Sequence, residues 1–186
     1  MPLKNVIHET DEKMKKTVLS VKREFSEIRS GRASPALVEG ILVDYYGAKT
    51  PVKHLATIST PDARMIMIHP WDAAVLVEIE KSVLQSNLGI TPTNDGKVIR
   101  ISIPHLTDER RVELDKIVKH VAENGRVSLR TARRDSNESI KQIEKGKEIN
   151  EDDRFKAQEE VQKLTDKYIA QIDQALAEKE KEIREG

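Results

Sequence analysis

The sequence contains no cysteine, so disulfides, thiolate zinc sites, iron–sulfur clusters and cysteine nucleophiles are excluded. It also lacks any apolar run close to the roughly 20 residues that a membrane-spanning helix needs. The segment from Met1 to Lys16 carries Glu9, Asp11 and Glu12 and has no apolar core, unlike a signal or transit peptide. From these absences we expect a soluble, cytoplasmic protein that does not associate with membranes.

Aromatic residues and net charge are also scarce. Only 3% of the residues are aromatic and 37% are hydrophobic, which argues against one compact core. Charged residues make up 34%, but the 32 basic and 32 acidic residues cancel. High charge without a dominant sign is typical of long, exposed helices. Because bulk basicity is absent, any nucleic-acid binding would require a local patch.

Helix-breaking residues are rare outside the middle of the chain. Six of the 7 prolines lie between Pro35 and Pro104, and five of the 8 glycines lie between Gly31 and Gly96. This distribution predicts a small domain, residues 31–104, inserted into a helical domain formed by residues 1–30 and 105–186. The connecting segments, 29–35 and 104–107, form a predicted elbow, which is either a hinge or a fixed joint.

The two flanks carry the periodicity of packed helices. From Met14 the apolar residues are spaced by 4, 3, 4 and 3 residues as far as Ile28. A second helix is predicted from a Thr107 N-cap to Gly146, and a third after an Asn150 N-cap. The second helix also has small residues on its apolar seam: Gly125, Ser128, Ala132 and Ser136. Three such helices can bury one another as an elongated three-helix bundle.

The middle segment alternates strand and turn signals. Apolar and β-branched runs predict three strands, at 41–46, 65–68 and 98–103, the last following an Asn94-Asp95-Gly96 hairpin turn. Between the second and third strands, Asp72 is a plausible N-cap for a helix that ends at Gly89. The fold class is therefore α+β, with a β/α/β small domain that forms a curled sheet or a barrel.

Residues that could carry catalysis form no convincing set. The five histidines do not pair at metal-ligand spacing, and no Gly-rich phosphate loop or nucleophile elbow is present. We therefore expect no catalytic residues, no metal and no cofactor. Tyr45 and Tyr46 can be interpreted as a base-stacking pair. The simpler interpretation, which we favour, places one ring in the core and the other on the surface.

One cationic patch is conspicuous. Arg126, Arg130, Arg133 and Arg134 fall at about 0, 40, −20 and 80° around the second helix, so their guanidinium groups share one face. The planar guanidinium fork binds two phosphate oxygens at once, which favours nucleic-acid binding. Arg29 and Arg32 at the elbow could extend the patch. The alternative is a solvated face that pairs with carboxylates of neighbouring helices.

The sequence resembles the bacterial ribosome recycling factor family from end to end. The segments that carry the resemblance are Ile28-Arg29-Ser30-Gly31-Arg32-Ala33-Ser34-Pro35, Tyr45-Tyr46-Gly47 with Thr50-Pro51, Leu106-Thr107-Asp108-Glu109-Arg110-Arg111, Val127-Ser128-Leu129-Arg130-Thr131-Ala132-Arg133-Arg134-Asp135, and Val161-Gln162-Lys163-Leu164-Thr165-Asp166. Several motifs in the same order and at similar spacing make the resemblance specific.

The resemblance implies an L-shaped, monomeric protein that binds the post-termination ribosome. With elongation factor G and GTP, such a protein splits the ribosome into subunits and has no catalytic activity of its own. Its bundle contacts the large subunit and its ribosomal RNA, here through Arg29, Arg130, Arg133 and Arg134; Arg126 is added from helical geometry alone. The expected hinge comprises Ser30, Gly31, Arg32, Ala33, Pro104, His105 and Leu106.

Two functions of other classes compete with this interpretation. A structural coiled-coil adaptor would bind only protein, with an affinity insensitive to salt. A nuclease or other RNA enzyme would need metal ligands or an acid–base pair, which the sequence does not offer.

Overall fold

The computed structural model describes residues 2–186, and its backbone forms two compact units. One unit comprises the residues up to 29 together with 108–184, and the other comprises 30–107 with 185–186. In chain order the elements are α1 (Pro2–Glu27), α2 (Ala36–Glu39), β1 (Leu42–Tyr45), β2 (Ala48–Pro51), β3 (Ala56–Asp62), β4 (Met65–Pro70), α3 (Leu76–Gln85), β5 (Pro92–Asn94), β6 (Ile99–Ser102), α4 (Asp108–Lys145) and α5 (Glu151–Glu185). We call the first unit the bundle and the second the small domain.

The bundle consists of α1, α4 and α5, which confirms the predicted helical part of an α+β fold. The α1 stripe is buried as expected at Met14, Val18, Val21 and Phe25. On α4 the predicted small residues Gly125, Ala132 and Ser136 lie in the buried seam. Ser128 does not, because it lies on the exposed side, where its hydroxyl donates to the Asn124 carbonyl at 3.0 Å.

The buried seam of α5 differs from the apolar pattern at two places. Leu164 and Leu176 are only half-buried, whereas Thr165 and Lys179 occupy buried positions. Thr165 is accommodated because its hydroxyl donates to the Val161 carbonyl at 2.8 Å. The Asn150 cap is confirmed, since its side-chain oxygen accepts from the Asp153 amide at 2.8 Å. Polar residues with local partners therefore replace leucine in the seam.

The small domain contains two antiparallel sheets. β1 pairs with β2, and a four-stranded sheet has the order β3-β4-β6-β5. The central strands β4 and β6 are paired from Met65 opposite Ser102 to Ile68 opposite Ile99. Alternate residues of these strands, including Ile66, Ile68, Ile99 and Ile101, enter a core shared with α3. The three predicted strands are confirmed, and β2, β3, β5 and the short α2 are additional.

The helix of the small domain begins as expected and ends early. The Asp72 carboxylate accepts from the Ala74 amide at 2.9 Å and caps a 3-10 turn that leads into α3. α3 then ends at Gln85, four residues before Gly89. Among residues 2–186, no helix is long and apolar enough to cross a membrane.

Candidate nucleic-acid interface

The four arginines lie on a side of α4 that differs from its buried seam. The seam residues Gly125, Leu129 and Ala132 fall at about 240–300° in the same helical frame, far from most of the arginines. Arg130 and Arg134 are exposed, and Arg126 and Arg133 are half-buried. We call Arg126, Arg130, Arg133 and Arg134 the Arg surface.

Arg126 is held within the bundle by carboxylates. It donates to Asp173 of α5 through Nε at 2.8 Å and Nη2 at 2.6 Å, and to Glu123 through Nη1 at 3.1 Å. Burial acts to lower the pKa of Arg126, but the hydrogen bonds to Asp173 and Glu123 raise it above its ordinary value. Only 23% of its side chain is exposed. The alternative of a paired face therefore applies to Arg126.

Arg130 shares an acidic partner with Arg126. Its Nη2 donates to Glu123 Oε1 at 2.8 Å, and nearly half of the side chain remains exposed. Hydrogen bonds from Arg130, and then from Arg126, lower the pKa of Glu123 below its ordinary value. Glu123 falls at about 60° in the frame of the four arginines. Helical spacing therefore predicts this partner if the residues before Arg126 are included.

Arg133 and Arg134 carry the uncompensated charge. Arg133 donates to the Gln162 side-chain oxygen at 3.0 Å, which leaves its charge without a carboxylate. Among residues 2–186, Arg134 has no hydrogen bond or ion pair with a side chain. Both arginines line a groove of about 510 Å³ between α4 and α5, which also contains Asn137 and Lys141.

The groove residues Asn137 and Lys141 were not singled out from the sequence. They fall at about 20 and 60° on the same face and extend it toward the C-terminal end of α4. Lys141 adds a cation, and the Asn137 Oδ1 is buried without a hydrogen-bond partner. The groove holds four cationic side chains and the single carboxylate of Glu138. This arrangement is suited to a polyanion.

Arg29 is separate from the Arg surface. It is exposed, and among residues 2–186 it has no ion pair or hydrogen bond with a side chain. α1 runs antiparallel to α4, since Lys13 meets Asp135 and Val21 meets Gly125. Extending this register places Arg29 roughly at the level of α4 residues 117–118, about 24 Å along the helix from Arg133. Arg29 therefore does not extend the Arg surface directly.

The predicted hinge residues lie on two adjacent chain segments at the edge of the small domain. Gly31 has a φ of +75°, and a Cβ atom built on it would lie 2.8 Å from the Leu106 Cγ. The Ala33 amide donates to the Ala63 carbonyl at 2.8 Å, which ties Ala33 to the β3–β4 turn. The Ile103 amide donates to the Arg64 carbonyl of the same turn at 2.8 Å. Of the remaining positions, Arg32 has its Nη1 3.9 Å from Glu185 Oε2, and Ser30 is buried.

The other candidate residues occupy ordinary structural positions. Tyr45 packs against the small-domain core, whereas Tyr46 is 83% exposed in the β1–β2 turn. The favoured interpretation of one core ring and one surface ring is thus confirmed. In the described part of the chain, no group of three or more His, Asp or Glu side chains is arranged to hold a metal ion.

Comparisons with known proteins agree on one family. The family model for ribosome recycling factor matches residues 21–183. The ribosome-recycling factor of Heliobacterium modesticaldum is 56% identical over 177 residues, which cover 95% of this chain and 96% of the relative. That of Nitratidesulfovibrio vulgaris is 50% identical over 183 residues, covering 98% of each chain.

Solved structures give the same result. A solution structure of a ribosome recycling factor superposes with a TM-score of 0.78 at 42% identity, covering 100% of this chain and 99% of the other. Models of the T. thermophilus ribosome recycling factor and the E. coli elongation factor G bound to the E. coli post-termination complex give a TM-score of 0.66 at 40% identity, covering 98% and 99%. The chain therefore belongs to the ribosome recycling factor family.

Proposed function

We propose that this protein binds the post-termination ribosome and, with elongation factor G and GTP, promotes its dissociation into subunits. The family, and a relative described together with elongation factor G on the post-termination complex, support the proposal. The protein acts as a monomer in the cytoplasm. It performs no catalysis of its own, because GTP hydrolysis belongs to elongation factor G.

The observation that carries the proposal is the uncompensated charge of Arg133 and Arg134. The chain as a whole is neutral, yet these arginines lie in a groove with Lys141 and a single carboxylate. Positive side chains at a groove neutralise phosphates and release their counterions, which makes binding favourable and salt-dependent. Ribosomal RNA of the large subunit provides such phosphates.

The proposal assigns different parts to the four arginines of the Arg surface. Arg133 and Arg134 contact RNA directly, and Arg130 contributes through the exposed part of its guanidinium group. Arg126 has a smaller part, because Asp173 and Glu123 already occupy its donors. Arg29 forms a separate contact at another level of the bundle.

The test compares two single variants of the same helix. Arg134→Ala should weaken binding to purified large ribosomal subunits and reduce the salt slope by about one, as expected for one lost phosphate contact. Arg126→Ala removes the same charge, but it should change affinity by less than about twofold. Instead, its loss should destabilise the bundle slightly, because Asp173 loses its partner and Glu123 keeps only Arg130.

Co-sedimentation at several salt concentrations measures both effects. The double variant Arg133→Ala/Arg134→Ala should lose binding most clearly, while circular dichroism should show the wild-type helical content. Unchanged ribosome binding by this double variant would overturn the proposal. Salt-insensitive association with a protein partner alone would favour the coiled-coil adaptor.

A further inference from the structure

A second groove lies between α4 and α5, at the N-terminal end of α4. Its volume is about 570 Å³. It is lined by Arg111, Val112, Asp115, Lys116, Lys119, Glu180, Ile183 and Arg184. Four cationic and two acidic side chains line it, an excess of two positive charges. We call this cavity and its lining residues the second groove.

The excess charge can be assigned to two residues. Lys119 is compensated, since its Nζ lies 2.6 Å from Asp115 and 3.6 Å from Glu180. Arg111 is compensated from outside the groove, since its Nη1 lies 3.6 Å from Asp108 Oδ1. Lys116 and Arg184, in contrast, have no hydrogen bond or ion pair with any side chain among residues 2–186. The second groove therefore presents two cations that form no ion pair with the described residues of the bundle.

A purely structural explanation covers only one of these cations. Arg184 lies in the last turn of α5, where a cation favours the negative end of the helix. Lys116 lies away from both ends of α4, so the helix dipole does not explain it. Its neighbour Glu113 is already paired with Arg110 at 2.8 Å. The exposed Val112 next to it adds apolar surface, with 55% of the residue accessible. Lys116 has no ion pair among the described residues, so it and the exposed Val112 are both available to a ligand.

The second groove continues the face that carries the Arg surface. In the helical frame where Arg126 is at 0°, Lys116 falls at about 80° and Val112 at about 40°, within the range of the four arginines. Lys116 precedes Arg133 by 17 residues in the sequence, or about 26 Å along α4. Between them lies Arg126 with the two carboxylates of Glu123 and Asp173, a stretch without excess positive charge.

We propose that the second groove is a further RNA-backbone contact, which binds phosphates of the same ribosomal RNA surface about 26 Å from Arg133. This inference rests on the proposed function. RNA is favoured over an acidic protein because the groove shares the α4–α5 face of the Arg surface.

A matched pair of double variants tests the contact on purified bacterial large ribosomal subunits. Lys116→Gln/Arg184→Gln should reduce the salt slope by about two and weaken binding about tenfold at low salt. The control, Arg23→Gln/Lys156→Gln, removes one arginine and one lysine from other exposed positions of the bundle, where neither has a side-chain partner. It should change affinity by less than about twofold.

The absence of cysteine permits a second, site-specific measurement. Val112→Cys in the second groove and Val127→Cys in the first each provide a single attachment point for a hydroxyl-radical-generating iron chelate. Cleavage of large-subunit RNA from both positions, at different sites, is the expected result. If the chelate at position 127 cleaved RNA but the chelate at position 112 modified only ribosomal protein, the RNA assignment would be overturned.

The two proposals fail separately. If Arg133→Ala/Arg134→Ala weakens binding while Lys116→Gln/Arg184→Gln behaves like its control, the second groove is not an RNA contact and the proposed function survives. If neither double variant affects binding, the proposed function is wrong and the second-groove contact is overturned with it.

Discussion

At the scale of single residues, one polar pair ties α5 to α1 inside the bundle. Tyr168 is 4% exposed, and its hydroxyl donates to Asp11 Oδ1 at 2.7 Å. Burial, followed by the hydrogen bond to Asp11, raises the pKa of Tyr168 from 10.0 to about 12. The folded bundle thus holds the Tyr168 proton more tightly than the unfolded chain does.

This pair predicts an alkaline transition in stability. Because the folded-state pKa is raised, the stabilising contribution is complete below pH 10.0 and is lost as the pH rises through about 12. Tyr168→Phe should lower the free energy of unfolding by about 1 kcal/mol at neutral pH. It should also flatten the loss of stability between these pH values. Urea unfolding at a series of pH values measures both effects.

The control for the tyrosine prediction is Tyr46→Phe, which removes an exposed hydroxyl from the small domain. It should leave both the stability and its pH dependence close to those of the wild type. If Tyr168→Phe had the same stability as the wild type at neutral pH, the hydrogen bond to Asp11 would contribute nothing net.

Single residues also show why the Arg surface could be predicted only in part from the sequence. Helical spacing correctly places the Arg surface on one face of α4, because angular position depends on α4 alone. Whether each arginine is available depends on side chains of other elements. Asp173, which pairs with Arg126, lies 47 residues further along the chain. No periodicity within α4 reveals that partner.

At the scale of elements, the approach of α1 and α5 to α4 depends on Gly125. A Cβ atom built on Gly125 would lie 2.6 Å from the Val21 Cγ2 and 2.9 Å from the Ile172 Cδ1. Helix propensity alone favours alanine at this position by about 1 kcal/mol. Packing disfavours alanine at position 125, because the branched Val21 side chain cannot move aside without a change of rotamer or of helix spacing.

We therefore expect Gly125→Ala to destabilise the bundle by about 1–3 kcal/mol despite its better helix propensity. Ser128→Ala is the control, since Ser128 is on the exposed side of the same helix one turn away. This change should leave stability unchanged or raise it slightly. Thermal unfolding followed by circular dichroism compares the two. An increase in melting temperature for Gly125→Ala would contradict this expectation and show that the helices move apart slightly at little cost in free energy.

The elements that sequence analysis missed are mostly those with the least apolar pattern. β3 and β5 are the two edges of the four-stranded sheet, and each contains proline. Edge strands tolerate proline and polar residues because only one side of the strand pairs. β4 and β6 are central and alternate buried and accessible residues, so their pattern is readable. The long helices were predicted because each buries one continuous stripe.

At the scale of the whole molecule, the chain passes twice between the bundle and the small domain, near residues 30 and 107. Gly31 and Leu106 lie side by side on these two crossings. Gly31 has a positive φ, which other residues adopt only with strain of about 1–2 kcal/mol. We propose that backbone rotation at the crossings allows the small domain to move when elongation factor G acts on it.

A reversible crosslink between the crossings tests this movement. A Cβ on Gly31 would lie 2.8 Å from the Leu106 Cγ, the position that a cysteine sulfur would occupy at residue 106, so the two side chains are close enough to be bridged. In the otherwise cysteine-free chain, Gly31→Cys/Leu106→Cys should form only this bond. Oxidation should abolish subunit splitting by elongation factor G and GTP, while binding to the large subunit persists because the Arg surface lies in the bundle. Reduction should restore splitting, and Gly31→Ala with native Leu106 controls for strain at position 31. If the oxidised protein recycled ribosomes at the rate of its reduced form, rotation between these two crossings would not be part of the mechanism.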